Sequence, residues 1–184
     1  MVLQNSLDAL SRSGVILFPS DTVLGLGCDA TNQDAVNAIF LIKNRSQNKS
    51  LIALVADIEM LTSYVESIPQ SIHEILKGYS SPITVVYPKA KGIAPMAMAE
   101  DGSMAFRIPK SGFVLDLVKS FGKPIIATSA NLSGEPIPEN ESQLDRRILE
   151  QVDYVVPLKS DTYSVKPSRI IQLTIDGKTK TIRP

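Results

Sequence analysis

The sequence predicts an α/β fold, a twisted open mixed sheet flanked by helices, with residues 1–184 forming one domain. Three observations predict it. Short continuous apolar runs of strand character alternate with stretches of helical spacing along the chain. Residues 83–108 hold two strands with no helix between them, and the C-terminal stretch reads as a hairpin, so the sheet is not wholly parallel. No repeat, low-complexity tract or convincing linker divides the chain.

The elements follow in order. Leu3, Leu7 and Leu10 have helical spacing, and Gly14 opens "VILF" (15–18), a strand covered on both faces. Pro19 ends it, and "PSDTVLGLGCDA" (19–30) reads as a long irregular segment of the kind that often carries function. From Asn32, residues Ala35, Val36, Ile39 and Ile42 recur helically, with Asp34 in the first turn and Lys43 and Arg45 at the end, as the helix dipole favours. "LIALV" (51–55) is a strand. Asp57 caps a helix through about Val65, and Ile68 to Leu76 gives another. "ITVVYP" (83–88) and "SMAFRI" (103–108) are strands, followed by a helix opened by Ser111 and closed by Gly122. "PIIAT" (124–128) is a strand, "ESQLDRRILE" (141–150) a helix and "YVVPL" (154–158) a strand. Residues 169–183 form a hairpin turning on Asp176-Gly177.

Bulk properties narrow the function. Lys plus Arg equal Asp plus Glu at 19 each, so the molecule lacks the basic field of a dedicated nucleic-acid binder, and any anion site is local. No apolar run is long enough to span a membrane. A single cysteine, Cys28, excludes an internal disulfide framework, and the N-terminus lacks the features of a secretory signal, so a reducing cytoplasm is the expected location.

The only histidine, His73, reads as a solvated helix residue, which argues against Ser-His-Asp and Cys/His metal chemistry. Cys28 reads as a buried thiol. Gly25, Gly27 and Ala30 match G-x-G-x-x-A, but Phe18 and Gly25 are separated by six residues including a proline, unlike a dinucleotide fingerprint. Lys43, Arg45 and Lys49 form a tri-cationic loop that suits either a solvated helix end or a polyphosphate. Arg107 ends a strand, an expensive place for a charge without an anionic partner, and Arg183 is placed similarly. Hydroxyls at Thr22, Thr128, Ser129 and Ser168 follow or precede strands, where an open α/β sheet delivers groups to a ligand crevice. "KPIIATSANLSG" (123–134) is by itself either a turn or a cradle. Hydroxyls and arginines without histidine suggest positioning and charge stabilisation rather than covalent catalysis.

"GVILFPSDTVLGLGCDA", "IKNRSQNKS", "SPITVVYP", "SMAFRIP", "PIIATSANLSG" and "KPSRIIQLTIDGKTKTIRP" together, in this order, resemble the YrdC-like family of L-threonylcarbamoyladenylate synthases over almost the whole chain. The family's K-x-R and S-x-N signatures appear as Lys43/Arg45 and Ser129/Asn131. The resemblance implies a positively lined cavity and the reaction of L-threonine, bicarbonate and ATP, with Mg²⁺, to threonylcarbamoyl-AMP and pyrophosphate. A separate transferase then modifies transfer RNA. It implies catalytic roles for Lys43, Arg45, Ser129 and Asn131. Threonine contacts fall on Thr22, Arg107, Ser129 and Ser168; ATP contacts fall on Lys43, Arg45, Lys49, Ser103, Asn131 and Arg183; no protein metal site is implied.

The sequence departs from the family pattern at Leu24, where an aromatic is common, at Ser46, where proline is common, and at Ser81-Pro82, which replaces a frequent Trp-Pro-Gly-Pro. Its end directly after Arg183 matches a short form without the further C-terminal domain of longer members. The alternative from another class is a double-stranded RNA or tRNA-binding module of the same fold, without adenylate synthesis.

Overall fold

A computed structural model describes residues 1–46, 51–78, 81–158, 164 and 166–184. Helix α1 (Val2–Ser11) leads into β1 (Ile16–Pro19), and the stretch expected to be irregular then forms a second strand, β2 (Leu24–Gly27), antiparallel to β1. The correction has a packing reason. Leu24 and Leu26 alternate with Gly25 and Gly27, and a Cβ on Gly27 would lie 2.5 Å from the Ile126 carbonyl and 2.6 Å from the Phe18 ring. The glycines therefore admit a close strand approach rather than marking a loop.

Asn32 caps α2 (Gln33–Ile42) by accepting the Ala35 N–H. Then follow β3 (Ile52–Leu54), α3 (Ile58–Thr62), capped by Asp57, and α4 (Gln70–Gly78). Helix α3 stops short of Val65, because Val65 is buried and bridges Ala90 instead. Strands β4 (Ile83–Tyr87) and β5 (Met104–Arg107) pair antiparallel without an intervening helix crossover, as expected. Helix α5 (Phe113–Phe121) starts behind Gly112 at φ +83°, not behind a Ser111 cap, since that backbone conformation suits glycine.

Strand β6 (Ile125–Ser129) precedes the segment expected as one helix over 141–150. That segment breaks into a 3₁₀ turn at Glu141–Gln143 and a single helical turn, α6 (Arg146–Leu149). Leu144 and Asp145 are extended, and the Asp145 carboxylate accepts the Arg147 N–H, starting a new helix. The chain closes with β7 (Tyr154–Val155) and the hairpin β8 (Arg169–Leu173) and β9 (Thr179–Arg183), its turn carrying Gly177 at φ +80°.

Among the described residues one mixed sheet runs in the order β7-β1-β2-β6-β3-β5-β4-β8-β9. Strand alternation sorts its apolar residues onto two layers. Ile16, Phe18, Leu54 and Ile125 pack on Leu10 of α1 and on Val114, Leu117 and Val118 of α5. Leu17, Leu26, Ala53 and Ile126 join the core of α2, where Val36, Ile39 and Phe40 are buried. No helix of the described residues is long and apolar enough to cross a membrane.

Candidate functional site

The sheet face that packs on α1 and α5 continues into a cavity of about 410 Å³. Register puts the floor residues on one face: Ile52 lies opposite both Ala105 and Ala127, and Gly25 lies opposite Ser129. Gly25, Ala105 and Ala127 are small, so this part of the face is hollow where larger residues would have filled it. The turn between β1 and β2 brings Ser20 and Thr22 to the rim, and the segment after α2 brings Arg45. Arg107 comes from the end of β5, and the terminal hairpin supplies Ser168 and Arg183.

Hydrogen bonds hold the rim. Ser20 Oγ accepts the N–H groups of Thr22 and Val23, each at 3.1 Å, and donates to the Val23 carbonyl at 2.7 Å. Its one proton is thereby used, so Thr22 is the donor in the 3.0 Å hydroxyl contact between them. Arg107 Nη1 donates to Thr22 Oγ1 at 3.0 Å, and Nη2 lies 3.2 Å from Asp21 Oδ1. Across the cavity, the hydroxyls of Thr84 and Ser168 are 2.7 Å apart, and Arg183 Nε donates to the Ser168 carbonyl at 2.9 Å.

The described lining residues include three arginines and no carboxylate. Burial lowers the pKa of Arg107; Asp21 opposes this effect and the charge of Arg183 adds to it. Burial likewise lowers Arg45 and Arg183. Three guanidiniums crowded into partly dry surroundings make a site that favours an incoming anion.

The loop after β6 is held from beneath. Lys43 is 2% exposed, and its Nζ donates to the Ser129 carbonyl and, at 2.6 Å, to the Asn131 carbonyl. In return the Lys43 carbonyl accepts the Ser133 N–H at 2.9 Å, and Asn131 Nδ2 donates to the Glu135 carbonyl. Burial, and secondarily the charge of Arg45, pushes the Lys43 ammonium down to about 7.

Of the residues singled out in the sequence, Thr22, Arg45, Arg107, Thr128, Ser129, Ser168 and Arg183 meet at the cavity. Lys43 and Asn131 stand behind its wall rather than in it. Ser103 is buried away from the lining, its N–H bonded to Asp101. Lys49 falls outside the described residues. His73 is half-buried in α4 and away from the cavity, and Cys28 is fully buried, which pushes its thiol pKa up. Sequence reasoning passed over Ser20, Asp21 and Thr84. The first two directly follow a strand, and Thr84 is the one aliphatic hydroxyl within the apolar run "ITVVY"; those were the available signals.

Residues 8–184 match the model of the Sua5/YciO/YrdC family, described as "Telomere recombination". The chain belongs to this family. Within the Sua5/YciO/YrdC group it is 34% identical over 169 residues to the threonylcarbamoyl-AMP synthase of Hahella chejuensis, covering 91% of each chain. It is 32% identical over 182 residues to the enzyme of the same name from Vibrio cholerae, covering 95% of this chain and 97% of that one. P. abyssi Sua5 complexed with L-threonine superposes with a TM-score of 0.86 at 26% identity, covering 99% of this chain and 53% of that one. This chain thus spans about half the length of that protein. E. coli YciO shares the fold, with a TM-score of 0.83 at 20% identity over 99% of this chain and 87% of its own.

Proposed function

We infer that this chain is a threonylcarbamoyl-AMP synthase that joins L-threonine, bicarbonate and ATP. What supports the reading is the hollow sheet face ringed by hydroxyls and three arginines, Arg107 buried and Arg45 and Arg183 partly so, in a chain a third identical to enzymes of that name. The threonine amino group takes up carbon dioxide as a carbamate, whose oxygen attacks the α-phosphorus of ATP as pyrophosphate leaves. The reacting partners are both anions, so the chain's task is to offset repulsion and align them. A side-chain nucleophile is not needed.

Arg107 receives the threonine carboxylate, with the hydroxyls of Thr22 and Ser168 beside it. Arg45 and Arg183 receive the polyphosphate, Arg183 staying anchored to the Ser168 carbonyl and so linking the two halves. Ser129 lies between the substrates. Lys43 and Asn131 serve the nucleotide by fixing the loop that carries Ser129. Mg²⁺ would arrive with ATP as part of the nucleotide complex, where its charge offsets that of the phosphates. The product is a reactive mixed anhydride, and a transferase acting on transfer RNA consumes it.

Pyrophosphate release from ATP, Mg²⁺, bicarbonate and threonine tests the assignment. Omitting threonine abolishes the signal. Equal release with serine, or none with the full mixture, overturns it. Arg45→Ala lowers kcat/KM for ATP by on the order of a hundredfold, the scale of losing one aimed charge donor.

A further inference from the structure

Asp21 is the group at this site that the proposed reaction leaves without a task. Its side chain is 10% exposed, both carboxylate oxygens are shut off from solvent, and neither accepts a hydrogen bond of acceptable geometry. Its one strong neighbour is the Arg107 guanidinium, 3.2 Å away, which lines the cavity while Asp21 does not. A buried carboxylate held by a charge contact alone is costly, and neighbouring hydroxyls do not relieve it: Thr22 and Ser20 bond one another, Arg107 and the backbone.

Resting on the threonine reading, we propose that Asp21 is the specificity residue of the amino-acid site, making it accept a zwitterion and refuse a bare carboxylate. A ligand carboxylate on Arg107 sits about one guanidinium width from Asp21, on the order of 6 Å, where charges in a partly buried site still interact strongly. For a simple or 2-hydroxy acid, Arg107 alone must offset that repulsion, its one charge shared between two carboxylates. An α-amino acid brings its own ammonium next to the carboxylate, a second cation that restores the balance of charge. The discrimination matters chemically, because only a ligand with an amino group can form the carbamate that attacks ATP. A 2-hydroxy acid would occupy the site without reacting.

Calorimetric titration without ATP reads this directly, using L-threonine and 2,3-dihydroxybutanoate, its 2-hydroxy analogue. The wild type binds threonine more tightly. In Asp21→Asn the threonine preference falls by about tenfold, threonine weakening and the hydroxy acid tightening, while Asp21→Glu, which keeps the charge, retains most of it. An unchanged preference in Asp21→Asn overturns the proposal. So does a wild type that binds the hydroxy acid as tightly as threonine, which requires no variant to fold. Absence of any threonine binding by the wild type sinks the threonine assignment itself, and the role of Asp21 with it; tight threonine binding with an unaltered preference sinks the role of Asp21 alone.

Discussion

Lys43 acts on the backbone before it can act on a ligand. A neutral amine still carries two N–H donors, enough for the Ser129 and Asn131 carbonyls, so the low pKa of about 7 does not dissolve the clamp. The sign of the pH effect follows. Between about pH 7 and the ordinary lysine value of 10.5 the unfolded chain binds the Lys43 proton and the folded chain does not, so stability rises with pH across that window and is flat in this group below it. Lys43→Met lacks the titration and takes the donor away from two part-buried carbonyls, at a cost of up to about 1–3 kcal/mol each. Urea denaturation at pH 7, 8 and 9 should show the wild type's advantage over Lys43→Met widening with pH; a constant gap refutes the argument. The K-x-R and S-x-N pairs could be picked out in the sequence as two motifs of one resemblance. That Lys43 faces the main chain of the other pair was not, because it depends on how the end of α2 docks against the loop after β6. Asp21 was missed for a similar reason: an acidic residue in a polar run gives no sign of a buried arginine 86 positions later.

At the scale of elements, the hollow depends on where small residues fall in the register. Ala127 points into the cavity between Ile52 and the β2 side of the floor, so Ala127→Leu should place its added carbons in ligand space. KM for ATP or threonine then rises tenfold or more while the thermal midpoint moves by only a few degrees, roughly the response to a tolerated change of volume. A large loss of midpoint with unchanged KM would mean that the side chain is buried in protein instead. Gly27 gives the opposite outcome, because its missing Cβ is answered by the Ile126 carbonyl and the Phe18 ring. Gly27→Ala should cost about 1–3 kcal/mol by denaturant titration. Strands and helices with strong periodicity, α2 and α5 among them, were readable from spacing alone. Strand β2 was not, since alternate glycines look like a loop until the neighbouring strand that demands them is known. The break before α6 was missed although Asp145, a residue that favours caps over helix interiors, carried the signal for it.

For the whole molecule, the balance of charge decides between small-anion chemistry and nucleic-acid binding. The mixed sheet was legible from the pair of strands at 83–108 and from the hairpin, but strand order was not. Parallel pairing of β4 with β8 is what carries Ser168 and Arg183 to the cavity formed with β5. The result is a zero net charge with three arginines gathered on one hollow, rather than a basic stripe along a groove. Neutralising a nucleic-acid backbone needs many phosphate contacts spread over a surface, and each contact contributes roughly 0.7–0.9 to the slope of affinity against salt on logarithmic axes. Three partly buried guanidiniums inside a cavity of about 410 Å³ suit a nucleotide's phosphates and cannot track a duplex. The purified protein should therefore release pyrophosphate with no RNA present, and filter binding should retain little transfer RNA at micromolar protein and physiological salt. Retention that is tight and falls steeply with salt, from a protein that turns over no ATP, would reinstate the RNA-binding module, because only a surface field outside the cavity could produce it.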